Sequence, residues 1–172
     1  MHCMHDLETF STTPDSLIWQ IGAVAFDKDG IRGEFHSIIK IDDSMMREFS
    51  ISASTFNWWL SQPEAIKVLA NANQSLDDAL YGFIHFYNSS CGGEMWGNGS
   101  DFDNVILANA YKKRGIPQPW RYSMNRCFRT IRSVHPHIEL PFEGVKHNAL
   151  ADARHQAEYL IRLNKELNLN IL

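Results

Sequence analysis

The feature that most constrains the fold is residues 17–26, a run of ten mostly apolar residues rich in strand formers. A short extended segment, 2–7, precedes it, and the intervening Ser-Thr-Thr-Pro-Asp sequence is typical of a loop. Asp-Lys-Asp-Gly at 27–30 is a turn signal, and residues 31–41 alternate well enough to form a third strand beside the second. The chain is therefore predicted to open with an antiparallel meander of three strands.

The apolar period changes after the meander, from the spacing of strands to that of helices. The clearest helical period is at 149–167, through Leu150, Ala153 and Ala157, whereas 123–133 is compatible with either a strand or a helix. The other predicted elements are helices at 54–69, interrupted at Pro63, and at 75–87, a short strand at 94–97, and a helix from about 102 to 113 that ends at Gly115. This alternation indicates an α/β fold.

Length and composition limit the classes of protein. The 172 residues fit one domain, 1–172, and an apolar content of 44% supports a packed core. A net charge of −4 argues against a protein that coats nucleic acid through a general basic surface, although it leaves room for a local basic groove. The chain has no apolar stretch of about 18 residues, no signal-peptide pattern and no C-x-x-C spacing, so we expect a reduced, cytoplasmic protein without membrane contact.

Two carboxylates, Asp6 and Glu8, stand two residues apart at the end of the first predicted strand. Side chains at that spacing point to the same face of a strand, so together they can bind a cation. The alternative is a solvated strand face, because acidic residues at this spacing are common on exposed strands.

Another acid follows the predicted strand 94–97, at the start of the next helix. Asp103 is a candidate ligand because α/β folds place their sites in loops at strand ends. Asp101 competes for this role, and both acids can instead serve the helix, Asp101 as its N-cap and Asp103 as a first-turn acid favoured by the helix dipole. The Asn98-x-x-x-Phe102-Asp103 arrangement favours Asp103.

The last predicted helix carries Asp152 in its first turns and follows His147 and Asn148. Asn148 can cap this helix, which leaves His147 on the segment before it. Taken alone, His147 is compatible with a surface residue, and Asp152 with a first-turn acid that serves only the helix dipole. Their spacing becomes informative only in combination with the other motifs.

The combined pattern resembles the DEDDh superfamily of 3′-to-5′ exonucleases. The three motifs, in the expected order and spanning nearly the whole chain, are Asp6-x-Glu8-Thr9, Asn98-x-x-x-Phe102-Asp103 and His147-x-x-x-x-Asp152. The Trp58-Trp59 pair and Cys-Phe-Arg-Thr at 127–130 are most similar to compact phage and prophage exonucleases and related bacterial exoribonucleases. His5 departs from the pattern, since the superfamily usually has an apolar residue before the first Asp. This departure leaves open how the first strand packs.

The resemblance implies a ribonuclease H-like fold, with a five-stranded mixed sheet, helices on both faces and the second strand antiparallel to the others. It implies a 3′-to-5′ exonuclease that acts on the 3′ end of single-stranded RNA or DNA and releases nucleoside 5′-monophosphates. A homodimer is consistent with the resemblance, and no spacing in the sequence tests it.

The resemblance also implies two Mg²⁺ or Mn²⁺ ions held by four acids, Asp6, Glu8, Asp103 and Asp152. Two hard cations about 3.5–4 Å apart can activate water and stabilise charge on the phosphate and the departing oxygen. Asp6 is the expected bridging ligand. His147 is the expected general base, because histidine titrates near 6.5 and can take a proton from water at working pH.

Substrate contacts follow from the same motifs. Thr9, Phe10 and Asn98 resemble positions near the terminal nucleotide, and Phe102 or Trp59 can offer a stacking face, although aromatic residues more often belong to the core. Residues 104–138 lack acids and can follow a phosphate backbone or simply scatter charge over the surface; their basic residues are Lys112, Lys113, Arg114, Arg121, Arg126, Arg129 and Arg132.

Three questions stay open at the level of sequence. The preference for RNA or DNA depends on the shape of the pocket around the 2′-hydroxyl. A catalytically silent nucleic-acid-binding module on the same fold is the alternative function, although no carboxylate of the motifs is missing. A polynucleotidyl transferase or endonuclease can also use acids on such a sheet, but the His-x-x-x-x-Asp motif favours exonuclease action.

Overall fold

A computed structural model describes all 172 residues and places a five-stranded sheet of order β3-β2-β1-β4-β5 at the centre. The strands are β1 (His2–Thr9), β2 (Ile18–Asp27), β3 (Gly30–Ile38), β4 (Met95–Gly97) and β5 (Asn125–Cys127). β2 runs antiparallel to β1 and β3, whereas β4 is parallel to β1 and β5 is parallel to β4. The predicted meander and mixed sheet are confirmed.

Helices cover both faces of the sheet. They are α1 (Asp43–Glu48), α2 (Ala53–Leu60), α3 (Pro63–Ile66), α4 (Leu76–Phe86), α5 (Asp103–Arg114), α6 (Phe128–Ser133) and α7 (Ala149–Leu167). The apolar sides of α4 and α5 pack with the larger core on one face, and those of α6 and α7 pack with a smaller core on the other. No helix is both long and apolar enough to cross a membrane. The helices on both faces confirm the ribonuclease H-like fold.

Several element boundaries differ from the sequence-based prediction. The helix predicted at 54–69 is two helices and a 3₁₀ turn at Lys67–Asn71, because Pro63 cannot donate a backbone hydrogen bond and takes the first position of α3. The ambiguous 123–133 segment contains both alternatives, the edge strand β5 and then α6. The short helix α1 was not predicted; Asp42 caps it by accepting a hydrogen bond from the amide of Met45.

The alternation of side chains along β1 separates structural residues from candidate ligands. Leu7 joins the larger core beside α4 and α5, whereas Met4 joins the smaller core under α7. His5 is fully buried with its ring edge near Phe83, and its Nδ1 donates to the carbonyl of Trp96 at 2.9 Å. Burial lowers the pKa of His5 to about 4, so the side chain is neutral. The first strand thus accommodates histidine where an apolar residue is usual.

Candidate active site

Three carboxylates from opposite ends of the chain meet on the α7 face of the sheet. Asp6, Glu8 and Asp152 each offer an oxygen, and these oxygens lie within 4.8 Å of one another. Asp6 and Glu8 come from β1, where period-two geometry gives them the same face. Asp152 comes from the first turn of α7, so packing of α7 against β1 is what assembles the cluster.

The fourth predicted ligand, Asp103, lies beside this trio and is buried, with 2% of its surface exposed. Its Oδ1 accepts a hydrogen bond from the amide of Leu7 at 3.2 Å, and the amide of Asn98 also stabilises its charged form. The competing acid, Asp101, is exposed in the preceding turn and is not the helix N-cap, because Phe102 occupies that position. The structure therefore places Asp103, and not Asp101, near the other acids.

Burial raises the pKa of all four acids, and repulsion between acids adds to the rise at Asp6 and Glu8. Burial, followed by the negative charges of its three acidic neighbours, raises the pKa of Asp6 well above its usual value. Burial and the charges of Asp152 and Asp103 raise the pKa of Glu8 to about 9. Burial also raises the pKa of Asp103, to about 7, and that of Asp152. One buried oxygen of Asp152 has no hydrogen-bond partner, so the donor set suits hard divalent cations.

His147 stands at the entrance of α7, where Asn148 caps the helix through a hydrogen bond from the amide of Ala151. Its backbone φ of 61 is in the left-handed region, which turns the chain sharply into the helix. The ring lies edge-on to Trp58, with centroids 4.8 Å apart. His147 and Asp152 line one cavity of about 400 Å³, so the predicted base and a predicted ligand face the same space.

A second cavity of about 400 Å³ also borders the acids, and we call it the aromatic cavity. Its lining includes Glu8, Thr9, Trp58, Trp59 and Phe102. Trp59 is almost fully buried, and its indole N–H donates to the carbonyl of Thr9 at 2.8 Å. Trp58, which the sequence did not single out for stacking, is 41% exposed and offers the more accessible ring.

The remaining predicted substrate residues occupy different positions. Phe10 is buried and packs between Trp19 and Phe56, and it does not line the aromatic cavity. Asn98 lines the cavity that holds His147. The structure thus brings Thr9, Phe102 and Trp59 together in the aromatic cavity and places Asn98 in the cavity that contains His147.

Comparison with known families adds to this geometry. The family model for the 3′-5′ exoribonuclease Rv2179c-like domain matches residues 1–163. The chain belongs to this family. No curated protein matches the chain in sequence.

Solved structures share the fold of this Rv2179c-like domain at low sequence identity. The nuclease domain of 3′hExo, a DEDDh family member bound to rAMP, has a TM-score of 0.68 at 13% identity, covering 95% of this chain and 91% of that chain. Exonuclease X in complex with 5′ overhanging duplex DNA has a TM-score of 0.64 at 16% identity, covering 99% and 95%. Pop2p of S. pombe, in a form with Mg²⁺ and Mn²⁺ bound, has a TM-score of 0.63 at 12% identity, covering 95% and 82%. The matched 3′-5′ exoribonuclease family and the fold shared with these structures agree with the resemblance found in the motifs.

Three residues of this Rv2179c-like domain that the sequence did not single out hold α7 at the acids. Gln156, one turn beyond Asp152, donates from Nε2 to Asp6 Oδ1 at 2.8 Å. Gln20, opposite Glu8 in the sheet, accepts a hydrogen bond from the first amide of α7. Gly22 lies opposite Asp6 and directly beneath the helix start. Two features of the sequence could have indicated these residues. Gln20 and Gly22 interrupt an otherwise apolar strand, and Gln156 follows Asp152 by four residues, which places both on the same face of a helix.

We expect Gly22→Ala to displace the start of α7, because an added Cβ would lie 2.1 Å from the carbonyl carbon of Ala149. Backbone cannot yield as a side chain can, so we expect a loss of about 3 kcal/mol in the free energy of unfolding. A shift of about 1 Å in Asp152 can also cost roughly 10²-fold in rate. Urea unfolding and RNA hydrolysis measure the two effects.

The matched control for this substitution is Gly33→Ala on β3, where the nearest atom to the added Cβ is a side-chain carbon of Phe86 at 3.7 Å. That distance is ordinary van der Waals contact, so this variant should keep both stability and rate. If the Gly22 and Gly33 variants had the same stability and the same rate, the close approach of Gly22 to the start of α7 would not have the role proposed for it.

Proposed function

We propose that residues 1–172 form one 3′-to-5′ exonuclease domain that hydrolyses single-stranded RNA or DNA from its 3′ end and releases nucleoside 5′-monophosphates. The observation that carries the proposal is the convergence of Asp6, Glu8 and Asp152 within 4.8 Å, with Asp103 electrostatically coupled to them and His147 lining the adjoining cavity. The family description names an exoribonuclease, which makes RNA the first polymer to test.

Two Mg²⁺ or Mn²⁺ ions are the proposed cofactors, with Asp6, Glu8, Asp103 and Asp152 as their ligands. When bound, such cations supply positive charge that polarises the phosphate and stabilises the departing oxygen. Carboxylate oxygens are the donors that these cations prefer. Burial raises the pKa of each of the four acids, and repulsion from neighbouring acids adds to the rise at Asp6 and Glu8. The cluster therefore combines suitable donors with uncompensated negative charge.

The proposed chemistry of the chain's own residues centres on His147. Its imidazole takes a proton from the attacking water while the water oxygen bonds to phosphorus. The bond from phosphorus to the 3′ oxygen breaks, and that oxygen leaves with the electron pair and acquires a proton from solvent. Trp58 supports the His147 ring edge-on, which limits the directions from which the imidazole can approach.

The terminal nucleoside is proposed to enter the aromatic cavity. Trp58 and Phe102 offer ring faces for the base, and stacking of this kind is worth about 1–3 kcal/mol per base. Thr9 lies next to Glu8 in this cavity, although its hydroxyl already donates to the carbonyl of Ser11 at 2.7 Å. The Thr9 hydroxyl can therefore accept a hydrogen bond from the terminal sugar, whereas donation to the sugar would have to replace the internal hydrogen bond.

Digestion of matched 5′-labelled RNA and DNA oligomers with Mg²⁺ or Mn²⁺ tests this function. A ladder that shortens one nucleotide at a time from the 3′ end is the expected result, and the faster polymer gives the sugar preference. Internal cuts would indicate an endonuclease. Binding of both polymers without any product, by folded protein with bound metal, would favour the silent binding module.

The acidic cluster also makes the metal-free protein sensitive to pH, and we expect its melting temperature to fall between about pH 4 and about pH 9, with Glu8 responsible for the part above about pH 7. The pKa values of Asp103, about 7, and Glu8, about 9, lie above the roughly 4 of an unfolded chain, so the folded state binds more protons in this window. The stability that these two carboxyl groups contribute is fully present below their pKa values in the unfolded chain, and it is lost as the pH rises through their pKa values in the folded protein.

Thermal unfolding in EDTA measures this effect, and saturating Mg²⁺ or Mn²⁺ should reverse the fall by compensating the carboxylate charge. Glu8→Gln is the control, because it removes the group with the higher of the two pKa values and should flatten the pH dependence. A melting temperature that is the same for both proteins across this range would contradict the interpretation.

A further inference from the structure

Two groups of basic residues can be distinguished within and beside residues 104–138. Some are neutralised by carboxylates and are poor candidates for binding phosphate. Arg114 donates to Asp77 at 2.6 Å and to Glu48 at 2.7 Å, and Arg126 pairs with Glu94 at 2.5 Å. Ion pairs within the folded protein thus neutralise part of the basic cluster that the sequence showed.

Arg129 and Arg132, together with Lys146 from the loop before α7, form the second group. All three are exposed, and none has a carboxylate within 4.0 Å. The Arg129 guanidinium donates to the carbonyl of Asn98 at 2.6 Å, and that of Arg132 lies over the Tyr159 ring at 5.3 Å. Both contacts fix the position of the guanidinium without neutralising its charge.

These three cations line a groove that begins at the acids, and we call it the basic groove. The cavity that contains His147 and Asp152 also contains Arg132 and Lys146. Arg132 also lines a neighbouring cavity of about 530 Å³, together with Arg129. The two cavities share Arg132 and Leu140 in their linings, so they adjoin, and together they extend from Asp152 to Arg129 on α6.

The aromatic cavity and the basic groove, which both border the acidic cluster, differ in chemistry. The aromatic cavity has no lysine or arginine in its lining, whereas the basic groove has three cations against Asp152 at its inner end and Glu139 at its outer end. A phosphodiester at the acids has a terminal nucleoside on one side and the rest of the strand on the other. Stacking suits the aromatic side, and the upstream phosphates require the cationic side.

We propose that Arg129, Arg132 and Lys146 bind the phosphates immediately 5′ of the scissile bond, so that the basic groove is the site for the upstream single strand. The inference rests on the proposed exonuclease function for the position of the scissile bond. It adds the polarity with which the strand crosses the site, and it identifies which cations of the chain hold the backbone.

Fluorescence anisotropy with a 5′-labelled single-stranded RNA of about twelve nucleotides tests the groove. A phosphorothioate at the 3′-terminal linkage slows hydrolysis during the measurement. Arg132→Gln should weaken binding roughly tenfold, as expected when one charged hydrogen bond to phosphate is removed. The slope of log affinity against log salt should fall by about 0.7 for each phosphate that is no longer neutralised, so Arg129→Gln/Arg132→Gln should reduce the slope about twice as much.

A dinucleotide provides the internal control, because its one phosphate lies at the acids and does not reach the groove. The KM for its hydrolysis should change much less in Arg132→Gln and Lys146→Gln than the affinity for the long RNA does. Arg32→Gln, which breaks an exposed ion pair with Asp27 at a distant turn, should change neither substrate. Circular dichroism establishes that each variant is folded, and Lys146→Gln on the loop tests the groove without altering α6.

The outcomes separate this inference from the function on which it rests. Unchanged affinity and salt slope for the long RNA in the arginine variants would overturn the groove, as would an equal loss with the dinucleotide. Wild-type protein that binds the RNA with the predicted salt dependence but hydrolyses neither substrate would leave the groove in place and overturn the exonuclease proposal.

Discussion

Asp6→Asn should lower the rate of RNA hydrolysis by roughly 10³-fold or more. Asp6 belongs to the trio of carboxylates within 4.8 Å, and asparagine keeps its shape while removing its charge. Loss of about 4 kcal/mol of transition-state stabilisation, a typical scale for disrupting metal-assisted chemistry, corresponds to this reduction. Single-turnover release of 5′-monophosphate from RNA measures the effect.

The same substitution should leave the metal-free protein at least as stable as wild type. Burial and then its acidic neighbours raise the pKa of Asp6, so a neutral side chain removes both the cost of a buried charge and its repulsion with the other acids. The amide oxygen of the introduced asparagine can still accept the hydrogen bond from Gln156. Melting temperatures in EDTA and in Mn²⁺ separate the two effects, since the gain in stability from the metal should shrink in the variant.

Asp101→Asn is the matched control, because Asp101 is an exposed acid close to the site that lies outside the cluster. Its rate should stay within about twofold of wild type, as expected for a surface substitution. An Asp6→Asn variant that keeps more than about a tenth of the wild-type rate would argue against a role for the trio in catalysis.

His147→Ala is expected to slow hydrolysis by about 10²- to 10⁴-fold, the usual contribution of a general base. None of the proposed ligands is altered, so the rise in melting temperature on adding Mn²⁺ should persist. Added imidazole should restore part of the rate in this variant alone, because the vacated space lies in the cavity that contains Asp152.

The control for His147→Ala is His85→Ala, which removes an exposed histidine from α4, a helix that packs on the other face of the sheet. It should retain the wild-type rate and show no response to imidazole. If His147→Ala kept the wild-type rate and pH profile, proton transfer would have to be assigned to another group.

Local sequence patterns determined much of this protein. The apolar run at 17–26, the turn at 27–30 and the helical period at 149–167 predicted β2, its turn into β3, and α7. The spacing of Asp6 and Glu8 predicted a shared face, because strand geometry repeats every two residues. These features depend on neighbours along the chain, so sequence alone contains the physical information needed to infer them.

Tertiary structure decided what local patterns could not. Gln156 reaches Asp6 across 150 positions of sequence, and Gly22 matters only because the start of α7 lies against it. The adjacent residues Trp58 and Trp59 are equivalent by local pattern, but packing buries one and exposes the other. Likewise, carboxylates distant in sequence neutralise Arg114 and leave Arg132 free. Burial and charge pairing depend on which surfaces meet, and that is fixed only when the whole chain packs.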